Sequence, residues 1–183
     1  MLRNQAPHSF QLIAGCALQT AMVASRLHYG VESLRLVQPA LVMGLPALAW
    51  LTFVSATRRP LGLADLWHLA APAFGLFCAV LAPEALDMGI VAVFLCYAGA
   101  MLLALSGPSE MVHARLAAGE EPQRLWRWVA GALVASALSD MLIMAAVATG
   151  HSDWLGWLVT LFSTASLLVL GGLMLADEAA TVA

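Results

Sequence analysis

Residues 88–105 read MGIVAVFLCYAGAMLLAL, eighteen residues with no charge among them. A run of that length is a membrane span rather than the helix of a water-soluble core. Similar stretches recur along the 183-residue chain, which is 62% hydrophobic and 10% charged. Soluble domains carry roughly 25% charged residues. The reading is an integral membrane protein, an all-α transmembrane bundle in a single domain spanning residues 1–183. The lipid bilayer is its main partner.

Six spans are expected, over about Phe10–His28, Leu36–Val54, Leu66–Ala82, Leu86–Leu105, Leu125–Thr149 and Trp154–Ala176. The second contains Pro39 and Pro46 and the third Pro72. Neighbouring helices can re-satisfy the carbonyls such prolines free. The breakers TRRPLGLAD, APEALD and GHSD separate consecutive spans. In the longest connection Ser109 could cap a short helix ending at Gly119, and Pro122 suits the first turn of the fifth span. Trp126 and Trp128 near one end of that span, and Trp154 and Trp157 beyond the other, are expected to mark opposite membrane interfaces. No sequence repeat relates the two halves, so an inverted-repeat transporter is not indicated.

With six spans, Arg3, Arg58, Arg59, Arg115, Arg124 and Arg127 share one side, and Arg26 and Arg35 the other. The positive-inside bias then places both termini in the cytoplasm of a multi-pass bacterial inner-membrane protein. All eight basic residues are arginine, and the absence of lysine excludes Schiff-base chemistry. No phosphate loop, nucleophile elbow or zinc-protease signature is present, so the chain reads as non-enzymatic and without cofactor. Net charge is −3 with no basic patch, so no direct nucleic-acid contact is expected. Cys16, Cys78 and Cys96 sit singly in apolar runs and read as buried and inert. Glycines 15, 44, 75, 99, 131, 171 and 172 read as helix-packing positions. Asp65 suits the N-cap of the third span, with His68 just inside it. A haem would call for a second intramembrane histidine, and none is seen.

The polar residue that stands out is Asp140, inside SALSDMLIMAAVA. Counted at about 1.5 Å per residue, Gln19 and Thr20, Cys96 and Tyr97, and Ser163 and Thr164 fall at a similar depth. Ser136 and Ser139 are its neighbours in the same span. Ala132, Ser136 and Asp140 lie i, i+4, i+8, a row of small residues expected to face another helix. Leu138, Met141, Leu142 and Ala145 would then face lipid. Arg26 could reach inward toward Asp140 or snorkel out to headgroups. RLHYGVESLR beyond it is either an interfacial loop with local Glu32–Arg35 pairing or the rim of an outward-facing site. Two readings of the layer stay open. One is packing through hydrogen bonds. The other is a ligand or proton site formed by Asp140, Gln19, Tyr97, Ser136, Ser139, Ser163 and Arg26.

The pieces SRLHYG, LRLVQP, LPALAWLTF, ADLWHLAAPAF, ARLAAGEEPQRLWRW and SALSDMLIMAAVATG occur in that order. Together they resemble the membrane-embedded N-terminal half of bacterial AraC-type transcription regulators, over roughly Ala17 to Ala176. The resemblance implies a sensory membrane domain whose C-terminus feeds a cytoplasmic helix-turn-helix module. Such regulators usually have one further helix ahead of this region and the DNA-binding module after it. Neither is expected within these 183 residues. A signal-input module responding to a small or lipophilic molecule is therefore the first expectation, with a second copy of the chain a candidate partner. A small proton-coupled carrier or ligand-binding membrane protein using Asp140 is the alternative.

Overall fold

The computed structural model describes residues 15, 17–19, 21–22, 25, 29, 34–57, 59–106, 121–154, 156–158, 160–162 and 164. Every regular element among them is helical. Helix α1 is Leu34–Thr57. A seven-residue 3₁₀ helix, Leu63–Leu69, leads into α2, Ala70–Leu81. A short 3₁₀ turn, Pro83–Ala85, opens α3, Leu86–Ser106. Helix α4 is Glu121–Ala148. Four stretches among the described residues are long and apolar enough to cross a membrane: Leu36–Thr57, Leu63–Leu81, Pro83–Ser106 and Leu125–Ala148. They coincide with the second to fifth expected spans. The described positions within the first and sixth are helical.

The chain divides into two compact units, Met1–Val134 and Ala135–Ala183. In the first, α1, α2 and α3 pack against one another, and α1 is the most enclosed. Met43, Ala47, Ala49, Phe53 and Val54 of α1 are all buried. Its hydroxyls are satisfied within the helix: Thr52 Oγ1 donates to Leu48 O at 2.8 Å and Thr57 Oγ1 to Phe53 O at 2.7 Å. That back-bonding removes the cost of placing a hydroxyl in an apolar interior. Helix α3 presents Val91, Phe94, Ala98, Met101 and Leu105, a stripe at alternating three- and four-residue spacing. Such a stripe is the seam of two closely aligned helices.

The closest backbone approach is at Gly75. A Cβ there would lie 2.8 Å from Pro39 O and 3.1 Å from Ala40 Cα. Only glycine lets α2 come this near α1. Gly15 meets the side chains of Leu45 and Leu48, but Gly99 and Gly131 face open space. Those two are not packing positions. Gly89, which the sequence did not single out, faces Phe74 and Met43 instead.

The third span departs from a plain α-helix. Pro72 has no N–H to offer the His68 carbonyl, and its ring crowds that carbonyl. The preceding residues wind as a 3₁₀ helix, with the Ala70 N–H bonded to Trp67 O. Pro72 thus sits in the first turn of α2 rather than inside it. Asp65 is the third residue of the 3₁₀ helix and not its N-cap, a place taken by Gly62. In the second unit α4 ends at Gly150, φ 76°, with His151 N–H bonded to Ala146 O and Gly150 N–H to Val147 O. This is a Schellman stop, and it puts the GHSD breaker to work as a helix end.

Two further expectations are corrected. Trp126 is not an interfacial anchor: it is 7% exposed and turned inward, while Trp128, Trp154 and Trp157 face outward. Cys78 is buried but Cys96 is exposed, on the lipid-facing side of α3.

Candidate functional site

The best-connected polar group lies where α1 gives way to the 3₁₀ helix. Arg59 Nη1 donates to Asp65 Oδ2 at 2.8 Å and Nη2 to Oδ1 at 2.7 Å, a two-pronged ion pair. The Gly62 N–H donates to Oδ2 at 2.7 Å, and Gly62 O accepts the Asp65 N–H at 3.0 Å. Asp65 is buried, while the Arg59 side chain is half exposed. The hydrogen bonds and charge of Asp65 raise the Arg59 pKa above its ordinary value. The guanidinium therefore stays charged, so on the alkaline side the pair's contribution persists until pH passes the usual arginine range, and on the acid side it is lost once the carboxylate is protonated.

Three residues on from Asp65, one turn of a 3₁₀ helix, stands His68. Its Nδ1 lies 2.8 Å from the Tyr97 hydroxyl on α3. The two rings are tilted at 50° with centroids 5.6 Å apart. The Trp50 ring of α1 lies 6.4 Å from His68 on another side. Trp50 contacts Phe53 at 5.6 Å, and Phe53 meets Trp126 edge-on at 5.4 Å. Tyr97, His68, Trp50, Phe53 and Trp126 thus form a ladder of rings running from α3 through the 3₁₀ helix and α1 to α4. Aromatic pairs in such geometries contribute about 0.5–1.5 kcal/mol beyond their buried area. The imidazole is the ladder's one ring that can both donate and accept through its nitrogens. No cluster of three metal-ligating side chains occurs among the described residues.

The expected layer around Asp140 is distributed differently. The Tyr97 hydroxyl lies 2.8 Å from His68 Nδ1 instead. Gln19 is half-buried, and its Oε1 is buried with no hydrogen-bond partner. In the second unit Asp140 and Ser139 are half-buried, whereas Ser136 and Thr164 are exposed. Thr20, Ser163 and Arg26 lie outside the described residues. The small row was set on the wrong side of α4: Ala132 and Ser136 face outward, and Trp126, Ala130, Leu133 and Ala137 are buried. Both sides of this helix carry small residues, so size alone did not mark the packed one. Leu138, Met141, Leu142 and Ala145 are exposed, as expected of a lipid face.

The His68–Tyr97 pair was missed because each residue was placed by counting from its own membrane surface. Reflection about Glu84 lays His68 opposite Ala100, one helical turn from Tyr97, so the observed pairing depends on an offset between the two helices that counting along the sequence does not give.

Fold and site together define an all-helical chain with the build of a membrane-spanning bundle. No family model, no curated protein and no solved structure matches it.

Proposed function

We propose that this chain is a non-enzymatic signal-input module of the bacterial inner membrane, with six spans and both termini in the cytoplasm, similar to the membrane part of an AraC-type regulator. One observation carries the reading. The segments that bear the resemblance also supply the tightest contacts in the fold. LRLVQP brings Pro39 to the Gly75 crossing. LPALAWLTF brings Trp50 and Phe53, and ADLWHLAAPAF brings Asp65, His68 and Phe74. On this reading the segments carrying the resemblance contribute helix contacts as well as exposed apolar residues such as Leu36, Val37, Leu66 and Trp67.

A signal acts on such a module by binding two packings of the helices unequally. The ring ladder ties α1, α3 and α4 to the 3₁₀ helix, so a ligand that moves His68 or Trp50 shifts all of them. The resemblance implies that the C-terminal end of the sixth expected span reports the change. The test is to join the chain's C-terminus to a DNA-binding reporter module and measure reporter output with lipophilic additives. Output should respond in the wild type and lose its response in Trp50→Ala. Output that is indifferent to every additive that changes the protein's melting temperature would overturn the reading. Orientation is tested separately: a periplasm-active enzyme fused after Pro60 should be silent, and one fused after Gly150 active.

A further inference from the structure

Tyr97 and His68 together fix where a proton resides. The hydrogen bond shown for the Tyr97 hydroxyl is to His68 Nδ1. If Nδ1 accepts the phenolic proton, the neutral imidazole carries its own proton on Nε2. The reverse arrangement, Nδ1–H donating to the phenol oxygen, strands the phenolic hydrogen and leaves Nε2 as an unmet acceptor as well. Both arrangements leave two capacities unmet, but a phenol is a stronger donor than a neutral imidazole N–H and an imidazole nitrogen a stronger acceptor than a phenol oxygen, so the first is favoured and its free donor is Nε2–H.

The surroundings say what can meet it. Asp65 is the nearest carboxylate along the 3₁₀ helix, and its two oxygens already take three donors from Arg59 and Gly62. It has little left for an imidazole, and Arg59 is neutralised by it. No net charge is therefore offered to an anion or a cation at this point. His68 lies about 10 Å along the span from Leu63 at the 3₁₀ rise, and about 6 Å deeper than the ion pair. Leu66, Trp67 and Leu69 around it are exposed and apolar. His68 itself is only partly covered, and it lies within a stretch long and apolar enough to cross a membrane.

We propose that His68 Nε2–H is the hydrogen-bond donor of a binding site for a neutral, lipid-soluble carbonyl compound, with the Trp50 and Tyr97 rings as its walls. The carbonyl has two sources of the same chemistry: the acyl ester of a bilayer lipid, or a free lipophilic molecule such as an alkylated benzoquinone. The site stands on this geometry and does not depend on the signal-input reading. Where that reading holds, His68 is the point at which the signal enters.

The test uses the full chain with ¹⁵N-labelled histidine in nanodiscs. One set is built from ether lipids, which have no carbonyl, and one from ester lipids. The His68 resonances are assigned by their loss in His68→Gln. At neutral pH in ether lipid, His68 should be the Nε2-protonated tautomer. Adding a benzoquinone with a ten-carbon tail should shift the Nε2–H proton saturably. Tyr97→Phe should lose the tautomer preference and weaken binding about tenfold, close to 1.4 kcal/mol, with melting temperature recorded to show that it folds. A shift already present in ester lipid without the quinone supports the site and makes the lipid its occupant. A shift with the quinone alone supports the site and makes the free compound its occupant. A Nδ1-protonated His68, or a resonance unmoved by both quinone and ester lipid, overturns the proposal. Binding at His68 without any reporter response would overturn the signal-input reading and leave this site standing.

Discussion

Gly75→Ala replaces one hydrogen by a methyl group at the tightest point of the bundle. The new Cβ would lie 2.8 Å from Pro39 O, 3.0 Å from Pro39 C and 3.1 Å from Ala40 Cα. Carbon does not approach carbonyl oxygen closer than about 3.2 Å without repulsion. All three obstacles are backbone, so no side chain can rotate away. The helices must part by roughly half an ångström along a tightly packed crossing. Overpacking of this kind costs about 1–3 kcal/mol, against which alanine gains about 0.5–1 kcal/mol over glycine within a helix. The net expectation is a loss of about 1–2 kcal/mol, a fall in Tm of about 2–8 °C for a chain of this size. Cys78 supplies the assay. It is buried one turn along α2 from Gly75, so its reaction with a maleimide dye reports unfolding. Cys16 and Cys96 are first changed to serine so that Cys78 alone reports. Gly99→Ala is the control, since no atom lies within 4 Å of its added Cβ. It should leave Tm unchanged or raise it slightly. Equal melting of the two variants would refute the steric reasoning.

Three other outcomes are expected. Arg59→Gln strands the buried Asp65 carboxylate with the Gly62 N–H alone, so it should lower Tm more than the double variant Arg59→Gln/Asp65→Asn, which removes the charge as well; a double variant that melts lower than Arg59→Gln would remove the ion pair from the account of this loop. Gln19→Leu discards a buried oxygen that has no partner, so dye-reported Tm should hold or rise, and a clear fall would mean that the amide is engaged. If Asp140 serves packing, Asp140→Leu should destabilise the detergent-solubilised protein while Asp140→Asn does little, and if it serves proton-coupled transport, Asp140→Asn should abolish pH-dependent flux in proteoliposomes.

The spans were legible because lipid imposes length and apolarity directly on the sequence. Leu86–Ser106 falls within one residue of its expected bounds for that reason. Faces were harder to read. A helix in lipid needs no polar side, so the periodicity that betrays the buried face of a soluble helix is missing. On α4 the reading rested on small residues, and Ala130 and Ala137 were as small as Ala132 and Ser136. The 3₁₀ start of the third span was hidden too, since Pro72 acts on residues ahead of it. Of the site, Asp65, His68 and Tyr97 were each noticed, but Asp65 was read as a cap and Tyr97 was assigned to a layer with Asp140. Their actual partners depend on how neighbouring helices register across a turn, which depth counted within one helix does not give.

The Arg59–Asp65 clamp also bears on how the protein enters its membrane. The two charges are six residues apart and closed on each other through a loop whose backbone joins in. A nascent chain can therefore form the clamp as soon as this loop is made, with no help from later spans. An acid in a span ordinarily opposes insertion, but here it comes with a countercharge of its own. The second and third spans are thus fitted to enter as one helical hairpin with a neutral tip. A loop that in the finished fold looks only like a salt bridge thus lowers the charge that such a hairpin would bring to the bilayer.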